Sequence, residues 1–99
     1  MRLVWSPLAL DRVTEIAEYI ALDNSIAGHR WVDKLFSKVE RLSEFPHRGR
    51  MVPEIDNKAF RELIFGNYRV IYRVEKDQVS ILTVRHGRQM LPLEEVVAR

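Results

Sequence analysis

The sequence predicts an α+β domain in which an antiparallel helical hairpin packs on one face of a small antiparallel sheet, and three observations carry that reading. Two amphipathic helical stretches joined by a short turn fill the first half of the chain. Three alternating, strand-like runs separated by turn residues fill the second. A brief apolar segment, RLVW at residues 2 to 5, precedes both. With 99 residues there is room for one core and one domain, 1–99, without disulfide or metal staples.

Taken in order, residues 2 to 5 read as a short first strand. Ser6 and Pro7 then occupy the N-cap and first-turn positions that helix starts favour. Ala9, Val13, Ile16, Ala17 and Ile20 fall on one face of a first helix ending near Leu22 to Asn24, and Asp11, Arg12, Glu15 and Glu18 take its wet side. After Asp23-Asn24-Ser25 a second helix runs to about Phe45, with Val32, Leu35, Phe36, Val39 and Leu42 as its apolar stripe and Pro46 as its stop. So short a turn makes the two helices an antiparallel hairpin. Residues 47 to 58 lack a sustained period and read as a loop with room for a short strand. FRELIF (60 to 65), YRVIYRV (68 to 74) and VSILTVRH (79 to 86) then form a three-stranded meander, with Gly66-Asn67 suited to a two-residue turn. The tail after Pro92 is expected to add a strand or a short helix.

Composition narrows the function classes. A content of 46% hydrophobic and 30% charged residues belongs to a globular protein rather than a disordered tail. No apolar run approaches the roughly 20 residues that span a bilayer, and the opening segment lacks the long apolar stretch of a signal peptide, so a cytoplasmic protein with no membrane partner is expected. The chain has no cysteine, and its three histidines, His29, His47 and His86, show no metal-ligand spacing; neither metal nor cofactor is expected. A net charge of +2 and a pI near 9.2 suit a nucleic acid or an acidic protein without requiring either. The arginines concentrate between Arg48 and Arg88, which makes the C-terminal half the basic side.

Strand registers can be inferred from the turns. If Phe65 pairs with Tyr68 and Val74 with Val79, period-two alternation puts Leu63, Phe65, Tyr68, Val70, Tyr72, Val74, Val79, Ile81 and Thr83 on the face beneath the helices, with Arg61 and Arg85 at its ends. The opposite face then holds Phe60, Glu62, Ile64, Arg69, Ile71, Arg73, Glu75, Ser80, Leu82, Val84 and His86. That mixture is too apolar for a solvated surface and too polar for a second core, so it is expected to meet a partner. The bland alternative is that Arg69 and Arg73 pair across strands with Glu62 and Glu75.

Arginine with histidine suits phosphate-directed work: guanidinium forks grip phosphate, and a histidine titrates near neutrality. For cleavage of RNA by its own 2′-hydroxyl, Glu54 would be the base, His86 the acid or proton relay, and Arg69 with Arg61 or Arg85 the phosphate clamps. Arg73 and Arg88 extend the set of target-binding candidates. Each of these residues also has an ordinary structural or surface reading.

The succession WSPLALDRVTEIAEYI, LSEFPHRGRMVPE, FRELIFGNYRVIYRV and VRHGRQM resembles the RelE/ParE superfamily of toxins from bacterial toxin–antitoxin modules, over Trp5 to Met90. The resemblance implies the RelE-like fold. It also implies a growth-inhibiting toxin neutralised by a cognate antitoxin, a heterotetramer or larger complex being one form of that assembly, with Ile71, Leu82 and Val84 as the apolar residues facing the antitoxin. RelE-like members are ribosome-dependent mRNA endonucleases; ParE-like members are thought to poison DNA gyrase. Arg69 in NYRVIY matches the strand arginine of the nucleases, and Glu54 in VPE matches a glutamate of the YoeB-like ones. The C-terminal end departs from both, since it has no tyrosine, and the lysine cluster of RelE-like members is reduced to Lys58. VRHGRQM resembles the ParE-like pattern of a last strand running into histidine, arginine and methionine, although Gln89 interrupts it. The ParE-like branch is favoured, with the mRNA interferase second and a non-toxic antitoxin-binding module third.

Overall fold

Ser6 begins the construction. Its hydroxyl accepts the Ala9 N–H at 3.0 Å, capping the first helix, and donates to the Leu82 carbonyl at 2.9 Å, tying that helix to the sheet. In the computed structural model, which describes residues 1–97, the elements are β1 (Arg2–Trp5), α1 (Pro7–Ala21), α2 (Ser25–Glu40), a single 3-10 turn (Arg41–Ser43), β2 (Arg50–Met51), β3 (Phe60–Phe65), β4 (Tyr68–Val74), β5 (Gln78–His86) and α3 (Glu94–Val97). The expected α+β architecture is present: the strands form one five-stranded sheet in the order β1-β5-β4-β3-β2, antiparallel except for β1 against β5, with α1 and α2 packed on one face.

The helix-facing core is the one the periodicities predict. Ala9 and Val13 of α1, Leu35 and Val39 of α2 and Leu42 of the 3-10 turn are buried against Leu63, Val70, Tyr72, Val79 and Ile81. Each fully buried Leu or Val contributes roughly 2 kcal/mol. The second helix ends at Glu40 rather than near Phe45. The tighter turn that follows swings Leu42 inward and leaves Phe45 57% exposed. Helix crossing is close because the contact residues are small: a Cβ on Gly28 would lie 3.0 Å from the Ala17 carbonyl and 3.1 Å from the Ala21 Cβ.

Two register expectations hold, Phe65 opposite Tyr68 and Val74 opposite Val79, but the phase between them does not. Tyr72 pairs with Ile81 whereas Ile71 pairs with Thr83, so Leu82 is an extra residue, a β-bulge that shifts the alternation of all that follows. Past it, Val84 faces the helices and is fully buried in their core, and His86 stands opposite Tyr68 on that side; Thr83 and Arg85 move to the far face. The sequence-based alternation had these four residues reversed.

The far face is a second core, not an open docking surface. Ile71 and Leu82 are buried there with Val52, Phe60, Leu91 and Val96, under the connector after β2 and the C-terminal tail. Ile71, Leu82 and Val84, expected to face an antitoxin, are therefore all interior, because the chain's own segments cover them. The tail forms the short helix rather than a strand.

Gly49 fixes the approach to β2. A Cβ there would lie 2.5 Å from the Glu62 carbonyl and 2.6 Å from the Tyr72 hydroxyl, which accepts the Gly49 N–H and donates to the Pro46 carbonyl, both at 2.8 Å. Gly49→Ala is expected to lower unfolding free energy by about 2 kcal/mol or more, read from the urea midpoint. Gly66→Ala, at φ +57° with open space around it, should cost only about 1 kcal/mol of backbone strain.

Candidate functional site

Of the polar residues singled out from the sequence, Glu54, Arg69 and Arg85 lie on the far face, in two ion clusters. Arg69, on β4, is 6% exposed and has its guanidinium fully engaged: Nε donates to Glu62 Oε1 at 2.6 Å, while Nη1 and Nη2 donate to the two Glu54 oxygens at 2.9 and 2.8 Å. Glu62, itself 1% exposed on β3, also accepts from Arg50 Nε on β2 at 2.5 Å. The sheet register dictates this. Arg50 lies directly opposite Glu62, and Arg69 lies opposite Ile64, diagonal to Glu62 on the same face. Glu54 comes from the connector after β2 and closes the chain of alternating charges.

Arg85 is the direct cross-strand neighbour of Arg69. It is answered from the tail: Glu95 Oε2 accepts from Arg85 Nη1 at 3.3 Å and from Arg12 Nη2 of α1 at 2.5 Å, and Glu95 Oε1 accepts from the Thr83 hydroxyl at 2.9 Å. Glu15 takes a second Arg12 donor at 3.0 Å. Two arginines side by side would repel, so each is neutralised by a carboxylate on a segment that crosses the sheet.

Both carboxylates titrate low. The Arg69 hydrogen bonds hold Glu54 below the ordinary carboxylate range, outweighing burial, which raises it. For Glu95 burial is the largest single influence and raises the pKa, but the hydrogen bonds from Arg12 and Thr83 and the two arginine charges together carry it below the usual value. Arg69 is raised above its ordinary value, chiefly by Glu54, so it is a cation at any working pH.

The other candidates are scattered. His86 lies on the helix side, its ring edge-on to Tyr68 at 5.5 Å and its Nδ1 accepting the Arg88 N–H at 3.2 Å, so the sheet separates it from Glu54 and Arg69. Arg61 donates to the Gly49 carbonyl at 2.9 Å. Arg73 does not pair with Glu75; its guanidinium sits 5.4 Å from the Phe60 ring centre, and Glu75 accepts from Ser80. Arg88 is exposed. The structure thus joins Glu54 with Arg69 and places His86 elsewhere. Among the described residues no cluster of three or more carboxylates and histidines is placed to hold a metal ion, and no helix is long and apolar enough to cross a membrane.

The pairing of Arg69 with Glu62, set out from the sequence as the ordinary alternative, is present, whereas sequence reasoning missed the role of Glu95, which holds Arg12 and Arg85, and an apolar groove of about 400 Å³ along the α1–α2 seam, lined by Leu10, Val13, Ala17, Gly28, Val32 and Phe36. The small residues Ala17, Ala21 and Gly28, spaced to meet across a helix pair, were the available signal for the close crossing that forms it.

Glu62→Ala removes the buried carboxylate that accepts from Arg69 Nε, leaving Glu54 alone to hold the guanidinium, and should cost about 2 kcal/mol in denaturant unfolding, whereas Glu62→Met with Arg69→Met should recover most of that loss. The depressed Glu54 and Glu95 pKa values stabilise the fold above the unfolded carboxylate value, roughly pH 4.3, and that contribution disappears as pH falls through the folded values. The urea midpoint should therefore vary little on this account between neutral pH and about pH 5 and drop below about pH 4, less steeply in Glu54→Gln.

Comparison with known proteins agrees with this architecture. Residues 3–91 match the family model described as ParE toxin of type II toxin-antitoxin system, parDE. Putative toxin Y4kP of Sinorhizobium fredii is 38% identical over 93 residues, covering 92% of this chain and 93% of that protein. Toxin RelE2 of Caulobacter vibrioides is 30% identical over 90 residues, covering 90% and 98%. Among solved structures, the chromosomal ParDE toxin–antitoxin system from P. aeruginosa has a chain that superposes with a TM-score of 0.73 at 20% identity, covering 87% of this chain and 95% of that one, which speaks to the fold. This chain belongs to the ParE toxin family of type II toxin–antitoxin systems.

Proposed function

We propose that this toxin is held inactive by a cognate antitoxin and, when released, inhibits growth by poisoning DNA gyrase rather than by cutting mRNA on the ribosome. The observation that supports this is the state of Arg69. Its Nε, Nη1 and Nη2 are all committed to Glu62 and Glu54, so the strand arginine that would clamp a scissile phosphate already holds carboxylates. Glu54 in turn is an ion-pair partner with a lowered pKa, which weakens it as a base, and His86 lies on the other side of the sheet. A base, a clamp and an acid that do not share a surface make a poor transesterification site.

Antitoxin binding is assigned to the helical hairpin. With Ile71, Leu82 and Val84 interior, the α1–α2 groove is an apolar concavity open to a partner, bordered by Leu10 at 44% exposure. An amphipathic antitoxin segment laid along it would bury its apolar face, a common mode of peptide capture.

Induction of the toxin alone, followed within minutes by pulses of labelled thymidine and labelled amino acid, tests the target. Thymidine incorporation should fall first, with no new mRNA 5′ ends, and Glu54→Gln and His86→Ala should keep toxicity within about twofold. Early loss of translation with new mRNA ends, abolished by His86→Ala, would establish the interferase instead. Leu10→Arg should leave toxicity intact and weaken antitoxin rescue by at least about tenfold; unchanged rescue moves the antitoxin to another surface.

A further inference from the structure

The arginines that made the C-terminal half look basic are largely engaged by groups of the chain itself. Arg69, Arg85 and Arg50 are ion-paired, Arg61 serves a backbone carbonyl and Arg73 an aromatic ring. Lys58, Lys76 and Arg88 also stay exposed, but it is on α2 and the segment after it that available cations cluster. Arg30, Lys34, Arg41 and Arg48 are exposed, and among the described residues none of them is in an ion pair. Arg30, Lys34 and Lys38 recur every four residues, so they form a ladder with steps of about 6 Å along the helix. Lys34 and Lys38 continue with Arg41 and Arg48 into a cleft of about 430 Å³, completed by Ser37 and a single carboxylate, Asp33. Lys38 spends one N–H on the Ile64 carbonyl at 2.7 Å and keeps two. Charge is segregated along the hairpin: residues 25 to 50 carry six Lys and Arg against three acids, whereas residues 7 to 24 carry four acids against Arg12 alone.

We infer that this ridge is a nucleic-acid contact, and that it takes the sugar–phosphate backbone of duplex DNA. A concave surface where four cations outnumber one carboxylate focuses its field on an anion, and a ladder of evenly stepped cations suits a polymer of evenly spaced phosphates better than a single small anion. Base stacking is not built in. Trp31 is packed against Phe65 and Tyr68, and the exposed ring beside Arg48, Phe45, stands alone, while single strands are gripped by successive rings. Backbone contact without base readout makes the binding independent of sequence and steeply salt-dependent. The inference does not depend on gyrase being the target.

The test is fluorescence anisotropy of the purified chain with a short labelled duplex across a salt series. Four phosphate contacts predict a log–log slope of about −3.6, or roughly a hundredfold loss of affinity between 50 and 200 mM salt. Lys34→Gln with Arg41→Gln should bring the slope to about −1.8. Lys58→Gln with Lys76→Gln, which changes net charge equally but lies outside the cleft, should leave it near the wild-type value. Equal effects of the two double variants would reduce the binding to net charge and overturn the assignment. Tighter binding of single-stranded RNA of the same length, or of poly-glutamate, would overturn duplex DNA as its ligand.

Discussion

Leu82 is one residue more than β5 needs to pair with β4, and the arrangement of both faces of the sheet follows from it. The bulge lets Ile81 and Val84 both reach the helical core, and leaves Leu82 and Thr83 together on the other side. It carries Arg85 onto the face of Arg69 and His86 away from it. Ser6 meets this irregularity, accepting from the first turn of α1 while donating to the Leu82 carbonyl. One hydroxyl thus couples the start of the helical hairpin to the phase of the last strand.

With Arg69 and Arg85 placed side by side, the far face can be covered only if their charge is answered. Glu62 does so from within the sheet; Glu54 and Glu95 do so from the two segments that lie over it. The apolar residues of those segments, Val52, Leu91 and Val96, can then close a second small core over Ile71 and Leu82. The buried ion pairs need not add net stability, since desolvation offsets most of their attraction. Their value lies in specifying where the connector and the tail dock. The same commitment engages all three Arg69 nitrogens with carboxylates.

The helical hairpin presents two further surfaces. Its seam is apolar because Ala17, Ala21 and Gly28 bring the helices close and leave the flanking Leu10, Val32 and Phe36 around a groove. Its α2 flank is basic because the acids of the hairpin sit mostly on α1, where Arg12 draws Glu15 and Glu95 to itself. Apolar and cationic surfaces are therefore adjacent but distinct, on helices that the sheet holds rigid.

The sequence by itself determined the elements, their order and the main core. Ser6-Pro7, Pro46 and Gly66-Asn67 are local signals whose physics acts within a few residues, and the helical stripes and hairpin turns follow from short-range periodicity. It also determined the family, through the succession of Phe-Pro-His-Arg-Gly-Arg, Arg-Glu-Leu and Tyr-Arg-Val-Ile-Tyr-Arg-Val. The bulge was not legible, because VSILTVRH alternates no worse with an extra residue than without one, and the contacts made around it, the Ser6 hydroxyl on the Leu82 carbonyl among them, come from as far as 76 positions away. Nor were the partners of Arg69 and Arg85 fully legible: Glu62 could be guessed from the register, but Glu54 and Glu95 arrive from segments without periodicity. Which arginines are spent and which cations stay free is set by long-range pairing across a sheet face, and only the tertiary structure decides it.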